Sequence, residues 1–181
     1  MSGMDDPLEL RPVDEEDLVI LEMLTHDPEA TGEFAWFGWF NPLRWRRAWA
    51  ETRLLGDDGG ALIVVKGGES LGFVTWGRRP VTVTAYFWEI GIALLPEARG
   101  YGYGGLAQAL LARYLLAHTP VHRIQASTEV GNLAEQRALE KAGFTREGVI
   151  RGTGWRNGAW RDGVIYSLLR TDQPASWEPV G

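Results

Sequence analysis

Residues 99–105 read Arg-Gly-Tyr-Gly-Tyr-Gly-Gly, and this run of alternating glycines limits the fold more than any other stretch. Glycine at every second position allows the chain to turn tightly and to bring its N–H groups close to a ligand. An apolar, strand-like run ends just before it at Leu94, and a helical pattern opens at its far end, over Gly105–His118. The unsatisfied N–H groups of a first helical turn, with the positive end of the helix dipole, would complete a phosphate-sized anion site. A plain surface turn is a second reading, opposed by the position between strand and helix and by the basic Arg99. A dinucleotide fingerprint is a third, since Gly100, Gly102 and Gly105 match Gly-x-Gly-x-x-Gly and Glu129 stands downstream for a ribose contact. The surroundings disagree with it. Pro96-Glu97-Ala98-Arg99 intervene after the strand, and the strands before the loop do not have the pattern of a parallel sheet.

Those strands read as a meander. Leu8–Pro12 alternates like a first strand, and Asp14, with Asp17 three residues on, opens a helix with Leu18, Leu21 and Leu24 at helical spacing. An irregular aromatic segment follows between Pro28 and Pro42, then a second helix over Pro42–Leu55. Ala61–Lys66 and Ser70–Trp76 flank a Gly67-Gly68 hairpin turn, and a turn near Arg78–Pro80 leads to a strand over Thr82–Leu94. Connections this short require antiparallel neighbours. After the glycine loop, Leu106, Leu110 and Tyr114 define one face of the third helix. A strand at Arg123–Thr128, a helix at Asn132–Ala142 closed by Gly143, and strands at Arg146–Gly154 and Trp160–Leu169 around Asn157-Gly158 complete the chain. The order predicts an α+β fold, a mixed and mostly antiparallel sheet of about seven strands with helices on both faces.

At 181 residues and 45% apolar composition, the chain suits one domain, with a core over residues 8–170 and a tail from 171 to 181. The absence of cysteine excludes disulfides and thiolate chemistry. The three histidines lack metal-ligand spacing, so no metal is expected. The net charge of −6 argues against nucleic acid, whose binding draws on phosphate neutralisation. No signal peptide pattern and no membrane-length apolar run is present, which points to the cytoplasm and away from membranes.

At the glycine loop the sequence resembles a known family. Arg99-x-x-Gly102-x-Gly104 is similar to the Arg/Gln-x-x-Gly-x-Gly/Ala signature of the GCN5-related N-acetyltransferase (GNAT) superfamily. Gly91–Gly104 resembles that family's strand and loop, and Asn132 followed by Glu140-Lys141-Ala142-Gly143-Phe144 resembles its Asn…Glu-Lys-x-Gly-Phe segment. Arg146-Glu147-Gly148 and Asp162–Arg170 resemble the branch that acetylates ribosomal-protein N-termini, the RimJ/RimL type. The likeness spans roughly residues 8–170. It implies a sheet with splayed central strands, acetyl-coenzyme A as cosubstrate, and direct attack of an amine on the thioester. The amine would belong to a protein N-terminus or a small molecule. A coenzyme A-binding sensor without catalysis is the alternative.

The resemblance also implies roles. Ile92, Ala93 and Leu94 would contact the pantetheine arm, and Arg99, Gly100, Tyr101, Gly102, Tyr103, Gly104 and Gly105 would hold the pyrophosphate. Glu89, within Phe87-Trp88-Glu89-Ile90, is the candidate base, in an apolar setting that would raise its pKa. Asn132 is a helix N-cap that would also touch the coenzyme, with Glu135 completing a capping box. The family's tyrosine and serine acids are absent, since Leu139 and Glu135 stand at their positions; Glu135, Tyr101, Tyr103 or water would protonate the leaving thiolate. Trp36, Trp39 and Trp155 would form an aromatic acceptor wall or a homodimer contact. Glu33 and Glu129 would attract an ammonium group.

Overall fold

In the computed structural model, which describes residues 6–172, alternation along the strands builds one sheet with two different faces. Its strands are β1 (Leu8–Pro12), β2 (Leu55–Gly56), β3 (Gly59–Lys66), β4 (Glu69–Pro80), β5 (Tyr86–Leu94), β6 (Arg123–Glu129), β7 (Thr145–Arg156) and β8 (Ala159–Leu169). They run in the order β1-β3-β4-β5-β6-β8-β7, with the two-residue β2 paired to β3. All pairs are antiparallel except β5 with β6. The expected topology is therefore present, with one additional short strand.

Period-two alternation divides the core. Leu62, Val64, Val74, Trp88 and Ile90 face α4 (Tyr103–His118) and α5 (Leu133–Lys141). Ala61, Ile63 and Phe73 face the opposite side, where α1 (Leu18–His26), α2 (Pro28–Thr31) and α3 (Arg44–Thr52) pack. The α1 positions Leu18, Leu21 and Leu24 are all buried, as their spacing predicts. Two glycine turns also follow expectation: Gly67 and Gly68 both have positive φ, as do Asn157 and Gly158, the conformation that a two-residue hairpin needs.

Some boundaries differ. β4 continues through Arg78 and Arg79, which pair with Trp88 and Phe87, so the hairpin turn lies at 81–85 and not at Arg78–Pro80. Pro80 sits at the strand's last position, where its missing N–H disturbs no interior ladder bond. The buried face of α4 carries Ala107, Leu111, Ala112, Leu115 and Leu116, whereas Leu106 and Tyr114 are exposed. Small residues explain the inversion. A Cβ on Gly105 would stand 3.0 Å from the Ala138 carbonyl, so this face alone lets α4 approach α5 closely. The Thr171–Gly181 tail falls outside the described residues beyond Asp172.

Candidate active site

The sheet parts at its centre. β5 and β6 are in register only at Trp88–Ile124 and Glu89–Gln125, after which the two strands diverge. The Leu95 N–H donates to the Leu71 carbonyl, and alternation along an antiparallel strand then directs the main-chain groups of Ile90, Ile92 and Leu94 away from β4. They face the gap. Phe34, Ala35 and Phe37 close one side of it, β7 and β8 another, and the resulting cleft has a volume of about 480 Å³. Strand amides without a sheet partner can bind an extended polar chain or an oxyanion.

At one end of the gap lies the glycine loop. Gly100 and Gly102 have φ of 85° and 84°, and a Cβ on either would meet nothing within 4 Å, so the bends are required while the space beside them stays open. Gly102 is the N-cap of α4, two residues earlier than the sequence pattern predicts, which leaves the first-turn N–H groups directed toward the loop's concavity. Tyr101 and Tyr103 stack on each other at 5.7 Å, and neither lines the cleft. Arg99 is turned inward: Nε donates to the Leu94 carbonyl at 2.9 Å and Nη2 donates to the Ala30 carbonyl. Its guanidinium thus ties the loop to α2, so any anion held here would rest mainly on backbone N–H groups.

The cleft has one strongly perturbed carboxyl. Burial pushes Glu135 up to about 7, against a hydrogen bond from Gln108 that favours the ionised form. The expected capping box is only half formed. Asn132 Oδ1 accepts from the Glu135 N–H at 3.3 Å, but the Asn132 N–H donates to the Glu129 carbonyl instead of to Glu135. The Glu135 carboxyl is thereby freed from the cap. Asn132 Nδ2 donates to Thr128 Oγ1 at 3.0 Å, fixing the amide at the cleft wall. Gln108, fully buried, also donates from Nε2 to the Gly104 carbonyl at 3.2 Å, linking the glycine loop to Glu135.

Glu89 differs from expectation. Its neighbours are ionic, not apolar: Oε2 accepts from Arg79 Nε at 2.6 Å and Oε1 from Ser127 Oγ at 3.4 Å. It sits where the strands part and does not line the cleft. Glu129, expected to attract an ammonium group, has both oxygens accepting from the buried Arg156 at 2.8 Å. That bidentate bond holds the Glu129 carboxyl below its usual range. Exposed Glu33 stands 3.9 Å from the same guanidinium, which lies 5.3 Å over the Phe34 ring.

The three tryptophans expected at the acceptor side, Trp36, Trp39 and Trp155, do not line the cleft. Phe34 and Phe37 line the cleft, whereas Trp36 and Trp39 pack edge to face beside them and Trp155 packs on Trp160 at the β7–β8 turn. Sequence reasoning missed Gln108 and Arg161. Gln108 alone carried a signal, as the one polar residue in the Leu106–Ala112 run. Arg161 reaches the cleft from the β7–β8 hairpin, where it pairs with Gly154.

The acetyltransferase (GNAT) domain family matches residues 7–145. The chain belongs to this family. YjcK of Bacillus subtilis (strain 168), named as a probable N-acetyltransferase, is 36% identical over 83 residues, 46% of each protein, so the chain spans about half the length of this curated relative. Two solved structures share the fold over most of their length. Spermidine N-acetyltransferase from Vibrio cholerae, in complex with CoA and spermine, has a TM-score of 0.78 at 18% identity, covering 91% of this chain and 96% of that one. Mycobacterium smegmatis RimJ, in complex with CoA-disulfide, has a TM-score of 0.79 at 21% identity, covering 93% and 85%. Among the described residues, no helix is long and apolar enough to cross a membrane, and no group of three or more His, Cys, Asp or Glu could hold a metal ion.

Proposed function

We propose that this protein transfers the acetyl group of acetyl-coenzyme A to a primary amine, in one acetyltransferase domain. The observation that carries the reading is a cleft lined both by strand residues whose main-chain groups have no sheet partner, Ile90 and Ile92, and by a buried carboxyl, Glu135, that burial pushes up to about 7. Both named structural neighbours support an amine acceptor, one by its spermidine acetylation and the other by its likeness to the branch expected from sequence.

The residues divide the work. First-turn N–H groups of α4 with Gly100 and Gly102 hold the pyrophosphate, and the main-chain groups of Ile92 and Leu94 hold the pantetheine arm. The Ile92 N–H stabilises negative charge developing on the thioester oxygen. Glu135, as carboxylate, accepts a proton from the attacking nitrogen and returns it to the departing sulfur. One group thereby serves both steps, the C–N bond forms as the C–S bond breaks, and the carboxylate is regenerated. Gln108 positions that carboxyl, while Asn132 fixes the Glu135 main-chain N–H. This replaces Glu89 as base and needs no tyrosine at Leu139, which is core.

The test is thiol release from acetyl-coenzyme A against a panel of peptides, polyamines and small amines, with the N-acetyl product identified by mass. Release matched by product is expected. Tight coenzyme binding with no release for any amine would replace the reading with a coenzyme-binding module.

A further inference from the structure

One cation of the cleft has a guanidinium N–H with no acceptor among the described residues. Arg161, on β8 opposite Gly154, lines the cleft, and its Nε is buried without a protein acceptor. Glu129 is near enough for its carboxylate to be favoured by the Arg161 charge, but among the described residues no carboxylate lies in ion-pair range of Arg161. Its charged neighbours are engaged elsewhere: both Glu129 oxygens bind Arg156, and Asp162 Oδ1 accepts from the Gly152 N–H at 2.7 Å. Other arginines of the chain, such as Arg11, Arg46, Arg79 and Arg123, have carboxylate partners.

A buried guanidinium N–H without an acceptor is unfavourable and native structures seldom keep one, so a ligand atom is the natural partner. The Nε–Nη edge of arginine matches the two oxygens of a carboxylate. One free guanidinium balances one negative charge, which suits a carboxylate better than a phosphomonoester.

We infer that the acceptor carries a carboxylate on the same molecule as its amine and that Arg161 binds it. This rests on the acetyl-transfer reading and names its substrate class. The carboxylate could be that of a free amino acid or the acidic side chain of a peptide's first residue.

Two matched pairs separate these sources. Free amino acids are compared with their carboxamides, and C-terminally amidated peptides beginning with Asp or Glu with those beginning with Asn or Gln. In one pair the carboxylate member should have a kcat/KM at least about tenfold higher, the scale of a charge-assisted bond. Arg161→Gln should collapse that ratio, and Arg161→Lys should restore part of it. Coenzyme affinity and melting temperature serve as folding controls. A ratio near one in both pairs for the wild type, an unchanged ratio in Arg161→Gln, or preference for a phosphorylated amine overturns the inference. A calorimetric measurement of N-acetyl amino acids against their amides, with coenzyme A present, keeps the two readings apart. Arg161-dependent carboxylate binding without turnover would sustain the carboxylate site and sink acetyl transfer.

Discussion

Replacing Glu135 with glutamine should make the protein slower and, above neutral pH, more stable. The reasoning starts from a buried carboxyl whose folded pKa of about 7 exceeds the ordinary 4.5. Below pH 4.5 the group is protonated whether the chain is folded or not, and nothing is lost. Between 4.5 and 7 the folded state holds a proton that the unfolded chain has released, so stability falls as pH rises through this window. At about 1.36 kcal/mol per pH unit, the full loss above pH 7 is about 3 kcal/mol. Glutamine occupies similar space, accepts the Gln108 bond and does not ionise. The Glu135→Gln variant should therefore gain up to about 3 kcal/mol at pH 8 and almost nothing at pH 4.5, or about 2–4 °C in Tm per kcal/mol.

Activity should move the other way. If the carboxylate form takes the proton, about one tenth of the enzyme is competent at pH 6 and about nine tenths at pH 8, so kcat/KM should rise with an inflexion near 7. Glutamine should remove that inflexion and lower the rate by about 10²- to 10⁴-fold. Melts at pH 4.5 and 8, beside a pH–rate series, measure both effects. Glu89→Gln is the control, because its ion pair with Arg79 holds it away from the cleft, and its pH profile should keep the wild-type inflexion. A stability gain independent of pH would refute the burial argument. An inflexion that survives in Glu135→Gln, or vanishes in Glu89→Gln, would refute the assignment of the base.

At the acid end the sign reverses. Hydrogen bonds from Arg123 and Ser167 hold Glu147 at about 2, and Arg156 holds Glu129 down, so stability should decline as pH falls from 4.5 toward 2, as a denaturant series would show. Arg99→Ala removes the bonds to the Leu94 and Ala30 carbonyls and should cost about 1–2 kcal/mol with weaker coenzyme binding by calorimetry. Arg99→Lys should not restore either property, because a single ammonium cannot span two carbonyls as the planar fork does.

Local chemistry wrote most of the fold into the sequence. The apolar run of Ala61–Lys66, paired turn residues at Gly67-Gly68 and Asn157-Gly158, and a strand ending at a glycine loop each depend on neighbours in the chain, and each is found where its pattern places it. Where tertiary contact decides, the pattern fails. The Leu106, Leu110 and Tyr114 stripe is as apolar as the buried face of α4, and only the close approach of Gly105 to Ala138 selects the other side.

The active-site chemistry falls in this second class. Glu135 three residues after Asn132 reads as a cap partner, and the two residues alone cannot show otherwise. What frees the carboxyl is a competing acceptor: the Glu129 carbonyl takes the Asn132 N–H. That carbonyl is available because Glu129 ends a strand that has already parted from β5 and pairs only with β8. The splay that opens the cleft thus also releases the Glu135 carboxyl, so the space for an acyl donor and a carboxyl that could act on it arise from the same break in the sheet. A sequence can show that a glycine loop needs room. Which side chain is turned loose into that room depends on where β5 and β6 part, a pairing between segments some thirty-five residues apart in the chain.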